Sequence, residues 1–289
     1  MTRFVIFLVT TVIVVMALMA LVALVLMITP TASSSASSSA SSSASDLTLV
    51  EFLTPDETFD LITNHHTFYE TLFDRDWKQR DVRDYDHYMR LLNSTGTCRV
   101  HLNVSQKEYL RRACEEADRT LADIDLPSFD GVQAARMPWK LACVQGREYE
   151  FGFPHTIHDV IILPLHVWTS NQDERRLHSL LLHEKTHVYQ KCFPAKATAY
   201  LHTNGFERVQ PRTVETVEVR PNPDTDNWIY RQGPNWYVMG VEKTIPVQER
   251  DQDPQFYEHP FERMAIEIAR LGRQIKESSK QSVPSEANT

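Results

Sequence analysis

The segment SLLLHEKTHVYQK, residues 179–191, sets His183 and His187 four residues apart, with Glu184 beside the first. On an α-helix that spacing puts both imidazoles on one face, one turn apart, so each can aim a nitrogen at a common ion. Zinc accepts such nitrogens as ligands. Glu184 falls about 100° round the helix from His183, beside an ion held there rather than on it. In a hydrolase, a carboxylate so placed takes a proton from metal-activated water.

A helical wheel distinguishes this arrangement from a helix that merely tolerates two histidines. With His183 at zero, Leu180, Leu177, Val188 and Leu181 fall at about 60°, 120°, 140° and 160°, so Glu184 sits within the apolar stripe. A lone ionised carboxylate there costs several kcal/mol unless a cation or a water-filled site accompanies it. The histidines lie at the border of the stripe, where a cleft opens.

His183-Glu184-Lys185-Thr186-His187 matches the HExxH signature and resembles the zincin metallopeptidases. The resemblance implies zinc on the two histidines, with Glu184 as general base and proton shuttle. It covers this helix closely and the segment EHPFERMA, residues 258–265, loosely; it does not reach residues 1–135. The extended HExxHxxGxxH form is absent, because position 190 is Gln and position 193 is Phe, which disfavours the metzincin branch. A catalytic zinc generally takes three protein ligands and keeps one position for water, so the third must come from farther along. HPFERMA looks like the glutamate-bearing helix of gluzincins, which makes Glu262 the chosen ligand. Phe261, Met264, Ala265, Ile268 and Leu271 form an apolar face with Glu262 at its edge, while Arg263 and Glu267 point outward. Glu207, His202 and His259 are the competing donors. The gluzincin pattern often carries an acidic residue four positions past the ligand; here that position is Ile266, so the group that orients a zinc histidine is unassigned. Tyr257, Tyr230, His155 and His158 are the candidate oxyanion donors. Residues 160–163 are read either as a sheet edge to which a peptide adds, as the resemblance implies, or as a core strand.

The elements that must position these groups are also readable. Thr54-Pro55-Asp56-Glu57 signals a helix through about Leu72, a second helix covers about Val82 to Leu92, and Ser105-Gln106-Lys107-Glu108 opens a third. WKLACV, EYEFGF and HDVIILPLHVW read as strands of a small sheet. The histidine helix follows from near Ser170 and stops before Pro194. A loop around RPNPDTDNWIY, a hairpin through NWYVMGVEKTIPV and a last helix from Pro260 to about Lys276 complete an α+β domain over residues 46–277.

The ends differ in kind. Phe4 to Ile28 is uncharged and almost wholly apolar, long enough at ~1.5 Å per residue to cross a bilayer core of roughly 30 Å. We read residues 1–30 as a transmembrane signal-anchor, residues 31–45 as a Ser/Ala stalk and residues 278–289 as a disordered tail. Arg3 before the span, with Asp46 and Glu51 after it, favours a cytoplasmic N-terminus. The bulk of this single-pass protein then lies outside the cell, in a lumen or on a virion surface. There Cys98, Cys114, Cys143 and Cys192 could form two disulfides, the alternative being four buried thiols. Asn93 and Asn103 begin N-glycosylation triplets. The chain is acidic, with 30 basic against 38 acidic residues, which argues against a nucleic-acid partner. The expected function is a membrane-anchored, zinc-dependent metallopeptidase acting on a peptide or protein. The alternative is a non-catalytic membrane-anchored ectodomain, with structural zinc or none, acting in protein binding.

Overall fold

Two apolar runs build the centre of the fold. In the computed structural model, which describes residues 48–169, 174–213, 221–237 and 256–281, the chain opens with β1 (Val50–Phe52), α1 (Pro55–Thr63), α2 (His66–Tyr69), α3 (Asp74–Gln79), α4 (Tyr85–Thr95) and α5 (Val104–Ala122). Then come β2 (Asp125–Leu126), β3 (Phe129–Asp130), α6 (Gly131–Arg136), β4 (Trp139–Val144), β5 (His155–Ile157) and β6 (Val160–Pro164). The C-terminal half holds α7 (His166–Thr169), α8 (Glu174–Cys192), α9 (Pro194–Thr203), β7 (Glu207–Pro211), β8 (Trp228–Gln232), β9 (Asn235–Tyr237), β10 (Phe256–Tyr257) and α10 (Pro260–Gln281). This is a mixed α+β architecture.

Successive strand residues face opposite sides of a sheet. Leu141, Cys143, Ile161 and Leu163 pack on one side into a core with Leu110 and Leu121 of α5, Leu177 and Leu181 of α8, and Met264 and Ile268 of α10. Ala142, Val144, Val160 and Ile162 pack on the other against Ile62, Tyr88 and Leu92 of the first helices. Each fully buried aliphatic side chain contributes about 1.5–3 kcal/mol. Burial on both faces explains why the β6 run is continuously apolar.

The strand order is β1-β4-β6-β5, with β1, β4 and β6 parallel and β5 antiparallel. Strand β6 is therefore interior, and the reading of residues 160–163 as a sheet edge is overturned; the edge on that side is β5. A second sheet, ordered β10-β9-β8-β7, carries the hairpin of β8 and β9, which turns at Gly233 with φ 58°. Trp228–Gln232, expected as loop, is the first strand of this hairpin, and residues 238–247 of the expected hairpin lie outside the described residues.

Several other boundaries differ. The first helix stops at Thr63, capped by Asn64, and resumes only as the short α2. The cap of α5 is Asn103, paired with Gln106, rather than Ser105. EYEFGF forms a 3-10 turn over Glu150–Gly152 instead of a strand, with Glu150 and Phe151 at positive φ. Buried Arg80 grips Glu150 through two hydrogen bonds, of 3.0 and 2.5 Å. A non-glycine residue held in that region costs about 1–3 kcal/mol and persists only where its surroundings enforce it. Helix α10 continues to Gln281, so residues 278–281 are helical. None of the four cysteines is bonded to another: Cys98, Cys114 and Cys143 are buried thiols and Cys192 is exposed. Among the described residues, no helix is long and apolar enough to cross a membrane. The expected span and stalk, residues 1–45, lie outside the described residues.

Candidate metal centre

Helix α8 ends where Phe193 leaves helical geometry before Pro194, and it lies beneath β5 and β6 on the sheet face that it shares with α5 and α10. Its far side is anchored by Lys185. That ammonium donates to the Met137 carbonyl at 2.5 Å, sits 4.0 Å from the centre of the Trp139 ring, and approaches Asp118 at 3.9 Å. Burial pushes the lysine down to about 8 and Asp118 up to about 6. The helix is thereby fixed in rotation, and its opposite face carries the histidines.

Helix α10 runs alongside α8 and can approach closely because residue 272 is glycine. A Cβ there would lie 2.3 Å from Leu182 Cδ1 and 3.0 Å from Thr120 Cγ2, contacts that a packed interior does not allow. This approach brings Glu262 to the histidines. His183 Nε2 lies 3.1 Å from Glu262 Oε2, His187 Nε2 lies 3.4 Å from Glu262 Oε1, and the two Nε2 atoms are 3.0 Å apart. A tetrahedral zinc with bonds of ~2.0–2.1 Å has ligand-to-ligand edges of about 3.3 Å, so the donor set fits that ion in both chemistry and size. Among the described residues, these three are the sole group of such donors close enough to share a metal.

Two of the three donors are held by partners outside the triad. Gln190 donates its Nε2 to the Phe261 carbonyl at 2.9 Å, which leaves its Oε1 to accept from His187 Nδ1, also at 2.9 Å. The His187 proton is thus on Nδ1 and the Nε2 lone pair faces the site. Asn222 donates to Glu262 Oε1 at 2.6 Å. Burial raises the Glu262 carboxyl, but the two imidazoles outweigh it and hold the group well below the usual range. For His187, burial works against the charged ring, yet Glu262 and Asp224 carry the balance upward. The site is electrostatically prepared for positive charge.

Glu184 is 2% exposed, and its Oε2 has no hydrogen-bond partner in the protein. Burial, and then the nearby Asp224 carboxylate, push this carboxyl well above its ordinary value. A buried polar atom without a partner calls for an explanation, and a ligand in the adjoining cleft supplies one. That cleft has a volume of about 750 Å³, and His155, Glu184, His183 and Glu262 are among its lining residues. A smaller cavity of about 250 Å³ touches the segment 221–223 too, but includes none of the three donors.

The competing ligands are engaged elsewhere. Glu207 is exposed on β7 and pairs with Arg231 at 2.8 Å, and His202 is exposed on α9. His259 is fully buried: it accepts from the Phe261 amide on Nδ1, so its Nε2 proton faces Asp226 at 3.1 Å. Of the candidate oxyanion donors, Tyr230 gives its hydroxyl to Asp226 at 2.6 Å, and His158 is exposed on the turn between β5 and β6. The Tyr257 side chain lies outside the described residues. His155 does line the cleft; its Nδ1 donates to the Phe153 carbonyl at 3.1 Å, so Nε2 becomes a donor only when the ring is protonated.

The expected RPNPDTDN loop itself supplies positions that sequence reasoning passed over. Asn222 holds Glu262, and Asp226 holds His259 at the start of α10. Between them, Asp224 accepts from the Thr156 amide at 2.7 Å and hydroxyl at 2.6 Å, and pairs with Lys191 at 3.2 Å. Lys191 also donates to the Thr156 carbonyl at 2.7 Å. The outward-facing backbone groups of Thr156 are therefore already taken, so the β5 edge is capped there. No known protein family, curated protein or solved structure matches this chain.

Proposed function

We propose that this domain is a zincin-like metallopeptidase with a gluzincin-type third ligand, in which His183, His187 and Glu262 hold zinc and Glu184 is the general base for peptide hydrolysis. The observation that carries this reading is the meeting of three zinc-type donors, His183 and Glu262 of them lining one cleft, with a buried carboxylate lacking a protein partner for Oε2. Zinc in such a site supplies Lewis acidity toward a water and toward a peptide carbonyl. Glu184 rides on the same helical turn as His183, so backbone geometry fixes its position relative to the donors. Gln190 and Asn222 keep His187 and Glu262 in ligand orientation, the role that Ile266 cannot fill. Three protein donors leave a coordination position for reactants, whereas a purely structural zinc closes its shell with a fourth.

In the same reading, the apolar N-terminus tethers the domain through the Ser/Ala stalk to a membrane, with the catalytic part extracellular, lumenal or on a virion surface. The full-length protein, purified with zinc, is expected to hold one ion per chain and to cut a denatured protein substrate. Glu184→Gln should keep the zinc and lose at least about a hundredfold in turnover, whereas His183→Ala should lose the ion. Wild-type rates in Glu184→Gln would remove the assigned base, and full zinc retention by His183→Ala would remove the site.

A further inference from the structure

We infer that His155 is a substrate-binding residue whose Nε2 accepts a backbone N–H of a residue flanking the reacting bond, so that the cleft rejects proline at that position. The inference rests on the peptidase reading and adds the substrate class. Among the described residues, two buried side-chain atoms without a hydrogen-bond partner belong to residues lining the cleft, Glu184 Oε2 and His155 Nε2. The proposed reaction uses Glu184 and leaves His155 without a role. The His155 side chain sits on β5, which packs against α8; the residue is 2% exposed, and its ring centre lies 5.1 Å from that of Tyr149.

The other ring nitrogen fixes the chemistry of Nε2. Nδ1 lies 3.1 Å from the Phe153 carbonyl, and a carbonyl only accepts, so the proton is on Nδ1 and Nε2 carries a lone pair. Burial holds the ring below the ordinary histidine value, against the pull of Asp224 and Glu150, and so keeps it neutral. Neither of those carboxylates offers a proton: Glu150 accepts from Arg80 and Tyr88, and Asp224 accepts from Thr156 and Lys191. The Lys191 ammonium is engaged by Thr156, Pro223 and Asp224. Outside the candidate site, the other charged groups lining the cleft, Glu258, Arg175, Arg176 and Arg273, are exposed side chains with partners of their own. The donor to Nε2 therefore comes from a ligand, and the donor that a peptide repeats at every residue except proline is its backbone N–H. Strand pairing does not supply the acceptor, because the Thr156 carbonyl on β5 already takes Lys191; the side chain of the preceding residue does. A site built to hydrogen-bond one group rejects the analogue lacking it, since its own buried atom is then left unpaired.

The test uses the full-length, zinc-loaded protein, a peptide that it cuts, and esters of that peptide in which oxygen replaces one N–H at a time at the three positions on either side of the reacting bond, but not at the bond itself. One replacement is expected to lower wild-type kcat/KM at least about tenfold, and proline at the same position to be cut no faster than that ester. In His155→Phe and His155→Ala holding zinc, the parent peptide should fall by a similar factor and the ester penalty should vanish, whereas His155→Gln, whose oxygen also accepts, should keep part of it. Equal wild-type rates for the parent and all the esters would give Nε2 to water and overturn the proposal without any variant. An ester penalty unchanged in His155→Phe or His155→Ala would overturn it as well; in both cases the peptidase reading stands. Absence of any cut by the zinc-loaded protein would overturn the peptidase reading and this inference together.

Discussion

Replacing Gln190 with alanine probes how the donor set is held. The side chain is 4% exposed and links two elements, accepting from His187 Nδ1 and donating to the Phe261 carbonyl, each at 2.9 Å. Removing it leaves a buried N–H and a buried C=O without partners, at about 1–3 kcal/mol for each unless water enters. Losing the group that orients a ligating histidine typically weakens metal binding 10–100-fold, about 1.4–2.7 kcal/mol. We therefore expect Gln190→Ala to bind zinc at least about tenfold more weakly in competition with a chromogenic chelator, and to unfold at lower temperature. Gln190→Glu keeps an acceptor for His187 but loses the donor to Phe261. It should recover most of the zinc affinity without recovering the stability, which separates ring orientation from helix packing. Zinc affinity in Gln190→Ala equal to wild type would refute the reasoning that Gln190 orients His187.

Two further outcomes follow from packing and charge. Gly272→Ala in an open helical position would stabilise by about 1 kcal/mol; here the new methyl meets Leu182 and Thr120, so we expect a lower Tm and, as α10 is pushed from α8, weaker zinc binding. A higher Tm would contradict the contact. For Glu150, burial raises the carboxyl, but the Arg80 charge and hydrogen bonds outweigh it, so its value falls below the usual 4.5. A depressed carboxylate stabilises the fold above its unfolded value, and that stability is lost as pH falls through the folded value. Glu150→Gln should thus flatten the decline in stability below about pH 4.5 in urea titrations, and an unchanged acid limb would exclude the ion pair as its source.

What was legible in the sequence was periodic. His183, Glu184 and His187 declare their faces within two turns, and Glu262 is placed by the apolar face of Met264, Ala265 and Ile268, all buried in the structure. Local pattern failed where tertiary contacts decided the conformation. Aromatic composition suggested a strand over residues 148–153, but Arg80 captures Glu150 from 70 residues away and the chain turns instead. The strand order that puts β6 inside the sheet leaves a trace only in its unbroken apolar run, which fits a strand covered on both faces. Gln190 was read as a missing glycine of another pattern, although a buried amide one turn from a ligand is itself a candidate for orienting it.

The residues at 222, 224 and 226 show why the remainder was hidden. Their partners lie 40, 68 and 33 positions away in sequence, at Glu262, Thr156 and His259, and no spacing rule connects them. Yet their types were informative: prolines at 221 and 223 restrict the backbone, and short amide and carboxylate side chains alternate between them. The chain turns over residues 223–225, where the Thr225 amide donates to the Asn222 carbonyl at 3.2 Å and the Asp224 amide to Asn222 Oδ1 at 2.9 Å, and this short turn lets Asn222, Asp224 and Asp226 hold several buried groups at once. Here those groups are Glu262, the capped sheet edge at Thr156, and His259 just ahead of α10. The loop thus ties Glu262 on α10 to the strand over α8, and the geometry of the candidate site depends on it as much as on the histidine helix.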